Sequence, residues 1–103
     1  MERLTYATAV VLQALAEGYR YGFDIADATG LRGGTVYPIL RRLERDGLIA
    51  SKWEEAQISR DAGRPARKYY RLLAGSRPVV ALARSRFPFS PLRTRGADPE
   101  VTG

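Results

Sequence analysis

The segment from Gly33 to Asp46 places the strongest constraint on how this chain can fold. Its apolar residues recur at the helical spacing i, i+3, i+4 and i+7, and they are Val36, Ile39, Leu40 and Leu43. The positions between them are polar or cationic, including Arg41, Arg42 and Arg45. The pattern predicts a helix with one buried face and one cationic face. An apolar stretch and an arginine-rich loop follow it directly.

Two shorter helices are predicted before this segment. Thr5 can cap the first, which runs to about Glu17, because its hydroxyl can accept a hydrogen bond from an unpaired backbone N–H. The second helix covers residues 21–30 and ends at Gly30. Its predicted buried positions are Phe23, Ile25 and Ala26.

A β-hairpin and a final helix are predicted after it. Residues 48–53 and 68–73 alternate as strands do, and the sequence Gly63-Arg64-Pro65 supplies turn residues between them. Ser76 can cap a last helix that has Pro78 in its first turn and ends before Pro88. The expected fold class is α+β, mainly α with a small antiparallel β-hairpin.

The positive charge lies entirely in the second half of the chain. Residues 1–47 carry six Arg and six acidic residues, whereas residues 48–103 carry eleven Lys or Arg and five acidic residues, which accounts for the net charge of +6. Within residues 60–71, five cations face one acid. This asymmetry favours a polyanionic partner, and the alternative is a solvated basic surface.

Several function classes find no support in the composition. The chain has no cysteine and no histidine, so the usual ligands of zinc, haem and iron–sulfur sites are missing, and we expect no metal and no cofactor. No apolar stretch is long enough to span a membrane, and we expect a cytoplasmic protein. Neither a catalytic constellation nor a phosphate-binding glycine loop is evident, which argues against an enzyme.

Four sequence blocks together resemble the PadR family of transcriptional regulators. The blocks occur in the family's order and spacing, and they are Tyr21-Gly22-Phe23-Asp24-Ile25, Gly34-Thr35-Val36-Tyr37-Pro38-Ile39-Leu40, Leu43-Glu44 with Gly47-Leu48-Ile49, and the run from Gly63 to Leu72. The resemblance covers about residues 5–73. It implies a winged helix-turn-helix fold, in which the third helix enters the DNA major groove and the hairpin forms the wing.

The resemblance also implies a homodimeric regulator, usually a repressor, that binds a palindromic operator in double-stranded DNA. Some family members release DNA when a small aromatic molecule binds near the dimer interface. The expected organisation is a DNA-binding domain in residues 1–73, a short C-terminal dimerisation helix in residues 74–87 and a disordered tail in residues 88–103. The family's own C-terminal helix is longer than this one.

The candidate DNA contacts lie on the third helix and in the basic loop. They are Arg32, Gly34, Thr35, Tyr37, Pro38, Arg41, Arg42, Arg45, Arg60, Arg64, Arg67 and Lys68. Arg64 is predicted at the hairpin tip, where it can enter a minor groove. For the helix arginines the alternative is surface pairing with Glu44, Asp46 or Glu17. For Tyr37 the alternative is a core position beneath the wing.

The candidate dimer contacts lie on the first and last helices. They are Tyr6, Val10, Val11, Leu15, Val79, Leu82 and Phe87. Trp53 is a candidate contact for an aromatic effector, although core or dimer packing is the favoured interpretation of a lone tryptophan. Two other functions remain open for the domain: a winged-helix module that binds an acidic protein, and a non-specific nucleic-acid-binding protein.

Overall fold

Five α-helices and one β-hairpin follow one another along residues 3–91, the part of the chain that the structure, a computed structural model, describes. The elements are α1 (Tyr6–Ala16), α2 (Gly22–Thr29), α3 (Gly33–Arg45), β1 (Ile49–Trp53), α4 (Ala56–Ala62), β2 (Lys68–Leu72) and α5 (Arg77–Arg86). The strands pair antiparallel, with Ile49 opposite Leu72 and Trp53 opposite Lys68. The expected α+β fold class is confirmed.

Two helix ends fall where the sequence predicts them. The Thr5 side chain accepts a hydrogen bond from the Thr8 N–H over 3.2 Å and so caps α1. After α3, Gly47 adopts a φ of 77°, a left-handed conformation that glycine tolerates without strain. This turn lets the Leu48 N–H donate to the Leu43 carbonyl and starts the chain toward β1.

The core lies between α1, α2 and the apolar face of α3, and the hairpin closes one side of it. The apolar face predicted for α3 is buried, and Leu40 and Val36 have no exposed surface. Ile25 of α2 is also fully buried, but the predicted burial of Phe23 is wrong, since 62% of this residue is exposed. The cationic face of α3 consequently points away from the core.

The connection between the two strands contains a helix that the sequence analysis missed. The sequence predicts a polar loop here, but residues 56–62 form α4, and Gly63 ends it with a φ of 68°. The run Ala-Gln-Ile-Ser-Arg-Asp-Ala followed by glycine carried that signal, because it contains no proline before a C′ glycine.

Helix α5 packs against α1 through a buried glutamine. The Gln13 amide donates to the carbonyl oxygens of Phe87 at 2.8 Å and Ala83 at 3.3 Å, so it satisfies the C-terminal end of α5. The predicted side-chain cap by Ser76 is wrong. Its hydroxyl donates instead to the Leu73 carbonyl, within a 3₁₀ turn that precedes α5.

Three residues predicted at a dimer interface lie inside the single chain. Val10 and Val11 have no exposed surface and Leu15 has 8%, because α5 and the other helices already cover α1. These three residues are therefore corrected to core positions. Most of the predicted tail lies outside the described residues, which end at Pro91.

Candidate nucleic-acid interface

Helix α3 presents polar side chains on the face opposite the core. Thr35, Arg41 and Arg42 are exposed, as is Arg32 at the N-cap position. Helix α3 begins at Gly33, so Pro38 stands at its sixth residue and is half-buried. The helix thus offers hydroxyl and guanidinium groups, the donors that contact phosphates and base edges.

Tyr37 is held between α2 and the wing while its ring remains partly exposed. The tyrosine is 41% exposed, so the predicted alternative of a core position is wrong. Its ring lies directly over Gly22 of α2. A Cβ atom built on Gly22 would lie 2.6 Å from Cζ of Tyr37 and 2.7 Å from its hydroxyl oxygen. Glycine at this position therefore allows the ring to lie against α2.

One stripe of α3 turns toward the hairpin. Glu44 accepts a hydrogen bond from the Ser51 hydroxyl of β1 over 2.5 Å. Burial raises the pKa of Tyr70 on β2 above its ordinary value, and Tyr37 and Glu44 add to this effect, whereas Arg41 opposes it. The hydrogen bond to Ser51 places Glu44 on the side of α3 that faces the wing.

Arg45, in the last turn of α3, forms a surface ion pair, which was the alternative to DNA contact. Its Nε atom lies 3.4 Å from a carboxylate oxygen of Asp46, and its side chain is 70% exposed. Such an exposed ion pair contributes little stability. Arg45 therefore pairs on the surface in the free protein.

Two cations at the start of β2 lie over aromatic rings. The guanidinium carbon of Arg67 is 5.3 Å from the ring centroid of Tyr21, and Nζ of Lys68 is 5.8 Å from that of Trp53. Both distances are typical of cation–π contacts. Trp53 is 62% exposed, so the interpretation as a core residue is wrong. The two rings therefore restrict where the long side chains of Arg67 and Lys68 lie.

Arg64 makes a bidentate ion pair instead of projecting from the wing. Its two terminal nitrogens donate to the two carboxylate oxygens of Glu54, at 2.6 Å and 3.0 Å. The Arg64 side chain is 28% exposed and that of Glu54 is 6% exposed. The prediction that Arg64 enters a minor groove from a hairpin tip is corrected, because α4 turns the chain back and brings this arginine to Glu54.

Glu54 joins the two sides of the wing where the strands end and their connection begins. Its N–H donates to the Arg67 carbonyl at 2.7 Å, and its carboxylate also accepts from the Arg67 N–H at 3.4 Å. The hydrogen bonds from Arg64 lower the pKa of Glu54 below its ordinary value, although burial opposes them in part. The sequence analysis missed Glu54, and an acidic residue ten positions before a wing arginine is too weak a signal to identify such a pair.

The candidate DNA contacts fall into three groups in the structure. The first group lies on one face of the protein, where α3 and the wing meet. Its members Tyr37, Arg67 and Lys68 line one cleft of about 880 Å³. Arg60 lies on α4, exposed, with a hydrogen bond to Gln57. Arg64 is engaged by Glu54. The cleft also contains Tyr21, Phe23 and Asp24, which the sequence analysis did not select.

No helix between residues 3 and 91 has the length and apolar character needed to cross a membrane. Over the same residues, no cluster of three or more histidine, cysteine or acidic side chains has the arrangement of a metal site.

Comparison with known proteins identifies the family. The model of the transcriptional regulator PadR-like family matches residues 11–78. A PadR family transcription regulator from hypervirulent Clostridium difficile is 27% identical, with a TM-score of 0.66 over 79% of this chain and 85% of that chain. A PadR family transcriptional regulator from Eggerthella lenta is 26% identical, with a TM-score of 0.58 over 79% of this chain and 73% of that one.

A third solved structure contains DNA. A mutant of S. aureus MepR bound to an oligodeoxyribonucleotide is 29% identical, with a TM-score of 0.62 over 80% of this chain and 56% of that chain. No curated protein matches the chain. The family match covers most of the chain and agrees with the fold, the exposed face of α3 and the basic wing. The chain therefore belongs to the PadR-like family of transcriptional regulators.

Proposed function

We propose that this protein is a cytoplasmic, sequence-specific DNA-binding repressor that acts as a homodimer on an inverted-repeat operator and is released by a small aromatic ligand. Helix α3 enters the major groove, and the wing reaches the adjacent backbone. The observation that carries the proposal is that α3 and the wing present side chains on the same face of the protein. Tyr37 of α3, Lys68 of β2 and Arg67, which precedes β2, line one cleft, so one duplex can contact all three.

Roles differ among the proposed contacts. Thr35, in the first turn of α3, is proposed to contact a base edge, since recognition helices enter the groove with their N-terminal residues. Arg41 lies further along the exposed face, and its long guanidinium side chain is proposed to reach a guanine edge. Further contacts with the DNA backbone are proposed for the exposed residues Gly34, Arg42 and Arg32. Arg67 and Lys68 are proposed to neutralise phosphates, because both lie on the wing, beside the helix that is proposed to enter the groove.

Mobility-shift titrations at several salt concentrations test this function. Binding to the preferred duplex should survive excess competitor DNA, and log affinity should fall linearly with log salt concentration, by about 0.9 for each phosphate neutralised. Equal affinity for all duplexes would indicate the non-specific alternative. Retention by an acidic protein but by no duplex would indicate the protein-binding module.

Arg41→Ala should lower affinity for the preferred duplex by about 5- to 150-fold and relax the base preference, because a bidentate contact with guanine discriminates by about 1–3 kcal/mol. Thr35→Ala should change the preference at a neighbouring position. Lys68→Gln is the contrasting variant, which should weaken all duplexes similarly and reduce the salt slope by about 0.9. Selection from a random duplex library measures the preference, and an unchanged consensus for Arg41→Ala would remove this residue from base contact.

The proposed dimer surface lies on the exposed side of the α1–α5 pair. Tyr6 is 54% exposed and Leu82 is 40% exposed, and Val79 is half-buried beside them. The Tyr6 ring contacts that of Phe87 edge-to-face, with centroids 6.0 Å apart, so the two helices present one aromatic and aliphatic patch. A twofold dimer through this patch would set two copies of α3 on successive half-sites.

Leu82→Glu should shift the protein toward monomer, because the new carboxylate would be buried against its own symmetry mate. Sedimentation velocity over a range of protein concentrations measures this shift. Ile58→Glu provides a matched control, since Ile58 is 51% exposed on α4 and lies outside the patch. Equal dimerisation of both variants would exclude the α1–α5 surface.

Gly22→Ala should reduce DNA affinity with little change in the free energy of unfolding. The new methyl group would displace the Tyr37 ring, which can turn toward solvent, while alanine improves the helix propensity of α2 by up to about 1 kcal/mol. In a Tyr37→Ala background the same change should have no further effect on DNA affinity. Gly75→Ala is the control, because its methyl group meets no atom within 4 Å. Additive losses in the double variant would contradict the proposed displacement of Tyr37.

A further inference from the structure

Each of the two cations proposed to neutralise phosphates lies over an aromatic ring from another element. Arg67 lies over Tyr21, the N-cap residue of α2, and Lys68 lies over Trp53, the last residue of β1. Both distances, 5.3 Å and 5.8 Å, are short enough for attraction between a cation and the face of a ring. All four residues line the same cleft.

Tyr21 is fixed beside the wing by contacts that do not involve Arg67. Its backbone forms an isolated antiparallel bridge with Tyr69 of β2, and the Tyr70 N–H donates to the Arg20 carbonyl over 2.8 Å. The rings of Tyr21 and Tyr69 also meet edge-to-face, with centroids 6.3 Å apart. The chain before α2 is therefore attached to β2, which gives the Tyr21 ring a defined place near Arg67.

Trp53 is placed by the register of the hairpin. It pairs with Lys68 across the strands, and directly opposite residues of an antiparallel pair project on the same face. The indole is 62% exposed, although tryptophan is highly buried on average, so it contributes little to the core. The large exposed ring beside a cation is better explained by function than by folding.

A ring restrains a cation in a different way from a carboxylate. Glu54 accepts hydrogen bonds from both terminal nitrogens of Arg64, so it occupies donors that a phosphate would need. A ring attracts the charge through its face and engages no donor with an oxygen. Within residues 3–91, no oxygen accepts a hydrogen bond from the Arg67 guanidinium or the Lys68 ammonium. Both cations are therefore restrained and still have donors for an anion.

We propose that Tyr21 and Trp53 are positioning residues for DNA binding, which hold Arg67 and Lys68 in place for phosphates before the duplex arrives. Long cationic side chains lose rotamer freedom when they bind, and this loss weakens binding less if it has already occurred in the free protein. Each ring thereby raises affinity without contacting the duplex. The proposal rests on the DNA-binding function proposed above and adds to it two residues that act through others.

NMR relaxation of the free protein tests the restraint without DNA. The heteronuclear NOE of the Arg67 Nε–Hε group reports how strongly the guanidinium is immobilised on the ps–ns timescale. Tyr21→Leu should lower this NOE to about that of Arg84, an exposed arginine of α5 outside the cleft, whereas Tyr21→Phe should preserve it. Equal NOE values for Arg67 and Arg84 in the unmodified protein would contradict the restraint, whether or not DNA binds.

Double-mutant cycles test whether each ring acts through its own cation. In mobility-shift titrations, Tyr21→Leu and Trp53→Leu should each weaken the preferred duplex by about two- to fivefold, the effect expected of an exposed cation–π contact. Tyr21→Leu should have no further effect in an Arg67→Gln background but should keep its full effect in a Lys68→Gln background. Trp53→Leu should show the reverse dependence. A general loss of wing structure would weaken binding equally in both backgrounds.

Further variants separate the aromatic face from side-chain bulk. Tyr21→Phe and Trp53→Phe keep a ring and should bind the duplex within about twofold of the unmodified protein. Phe23→Leu is the matched control, because it removes an exposed ring of the same cleft and should show no coupling to either cation. Both leucine variants at the proposed positions should keep the salt slope, since the two cations are still present. Thermal unfolding verifies that each variant is folded.

Three outcomes would overturn the proposal. A leucine variant that weakens binding equally with and without its cation would show that the ring contacts the duplex or supports the fold. Phenylalanine variants as weak as the leucine variants would exclude the aromatic face as the cause. Unchanged affinity in both leucine variants would show that the restraint contributes nothing to binding. Failure of the unmodified protein to bind any duplex is a different result, because it would refute the proposed function itself.

Discussion

Leu40→Ala is expected to cause the largest loss of stability among single substitutions on α3. Leu40 has no exposed surface and belongs to the core cluster beneath the helix. Removing a buried leucine side chain costs roughly 2–5 kcal/mol, against a total of about 5–15 kcal/mol for a domain of this size. The midpoint of thermal unfolding should therefore fall by roughly 10–30 °C.

The neighbouring substitution Arg41→Ala is the matched control. Arg41 lies on the exposed side of the same helix, so its removal should change the free energy of unfolding by less than about 0.5 kcal/mol. The two variants are compared at one protein concentration, since dimerisation would make the midpoint concentration-dependent. At a temperature at which both variants are folded, Arg41→Ala should lower DNA affinity more than Leu40→Ala does. Similar midpoints for the two variants would contradict the described burial of α3.

Glu54→Gln is expected to loosen the wing and to weaken binding to every duplex. The substitution removes the charge that holds Arg64 and leaves a guanidinium without its carboxylate in a partly buried position. Because Arg64 pairs with Glu54 instead of reaching DNA, the number of neutralised phosphates should not change. We expect lower affinity with the same salt slope. Arg67→Gln, by contrast, should reduce that slope by about 0.9.

Limited proteolysis of the segment between β1 and β2 measures the loosening directly. Cleavage within residues 54–67 should accelerate in Glu54→Gln and in Arg64→Ala, and the double variant should resemble either single one, since both remove the same pair. A reduced salt slope in Arg64→Ala would show instead that this arginine contacts phosphate. A cleavage rate equal to that of the unmodified protein would contradict the structural role of the pair.

The pH dependence of the wing follows from the same pair. Hydrogen bonding by Arg64 lowers the pKa of Glu54 in the folded protein below its ordinary value of 4.5. A carboxylate with a lowered folded pKa contributes stability above its unfolded pKa and loses it as the pH falls through the folded value. Protection from cleavage should therefore be constant from neutral pH down to about 4.5 and should decline below that, when an acid-tolerant protease is used. Glu54→Gln should lack this decline.

Much of the fold was predictable because its local signals agree with one another. The spacing of Val36, Leu40 and Leu43 set the buried face of α3, and Thr5 and Gly47 marked helix ends. Local hydrogen bonding and helical periodicity determine these features, and both depend on residues a few positions apart. Helix α4 was not predicted although its signal was also local, since the turn residues Gly63 and Pro65 favoured a loop for the whole connection.

The other assignments that failed depend on residues far apart in the chain. Val10 and Val11 look the same whether α5 of their own chain or a partner covers them, and only the packing of α5 on α1 decides between these possibilities. The sequence around Arg64 does not show whether its side chain points to solvent or pairs with Glu54. Phe23 occupies an apolar position of α2 but lies exposed at the cleft.

The sequence by itself determined the family, the helical face that carries Arg41 and the concentration of positive charge near the wing. The tertiary structure decided which of those charges are available. Helix α4 turns Arg64 back onto Glu54, and the antiparallel register sets Lys68 opposite Trp53, within reach of its ring. The physical reason is that periodicity fixes the direction of a side chain within its own element, whereas the partner it meets depends on how separate elements pack.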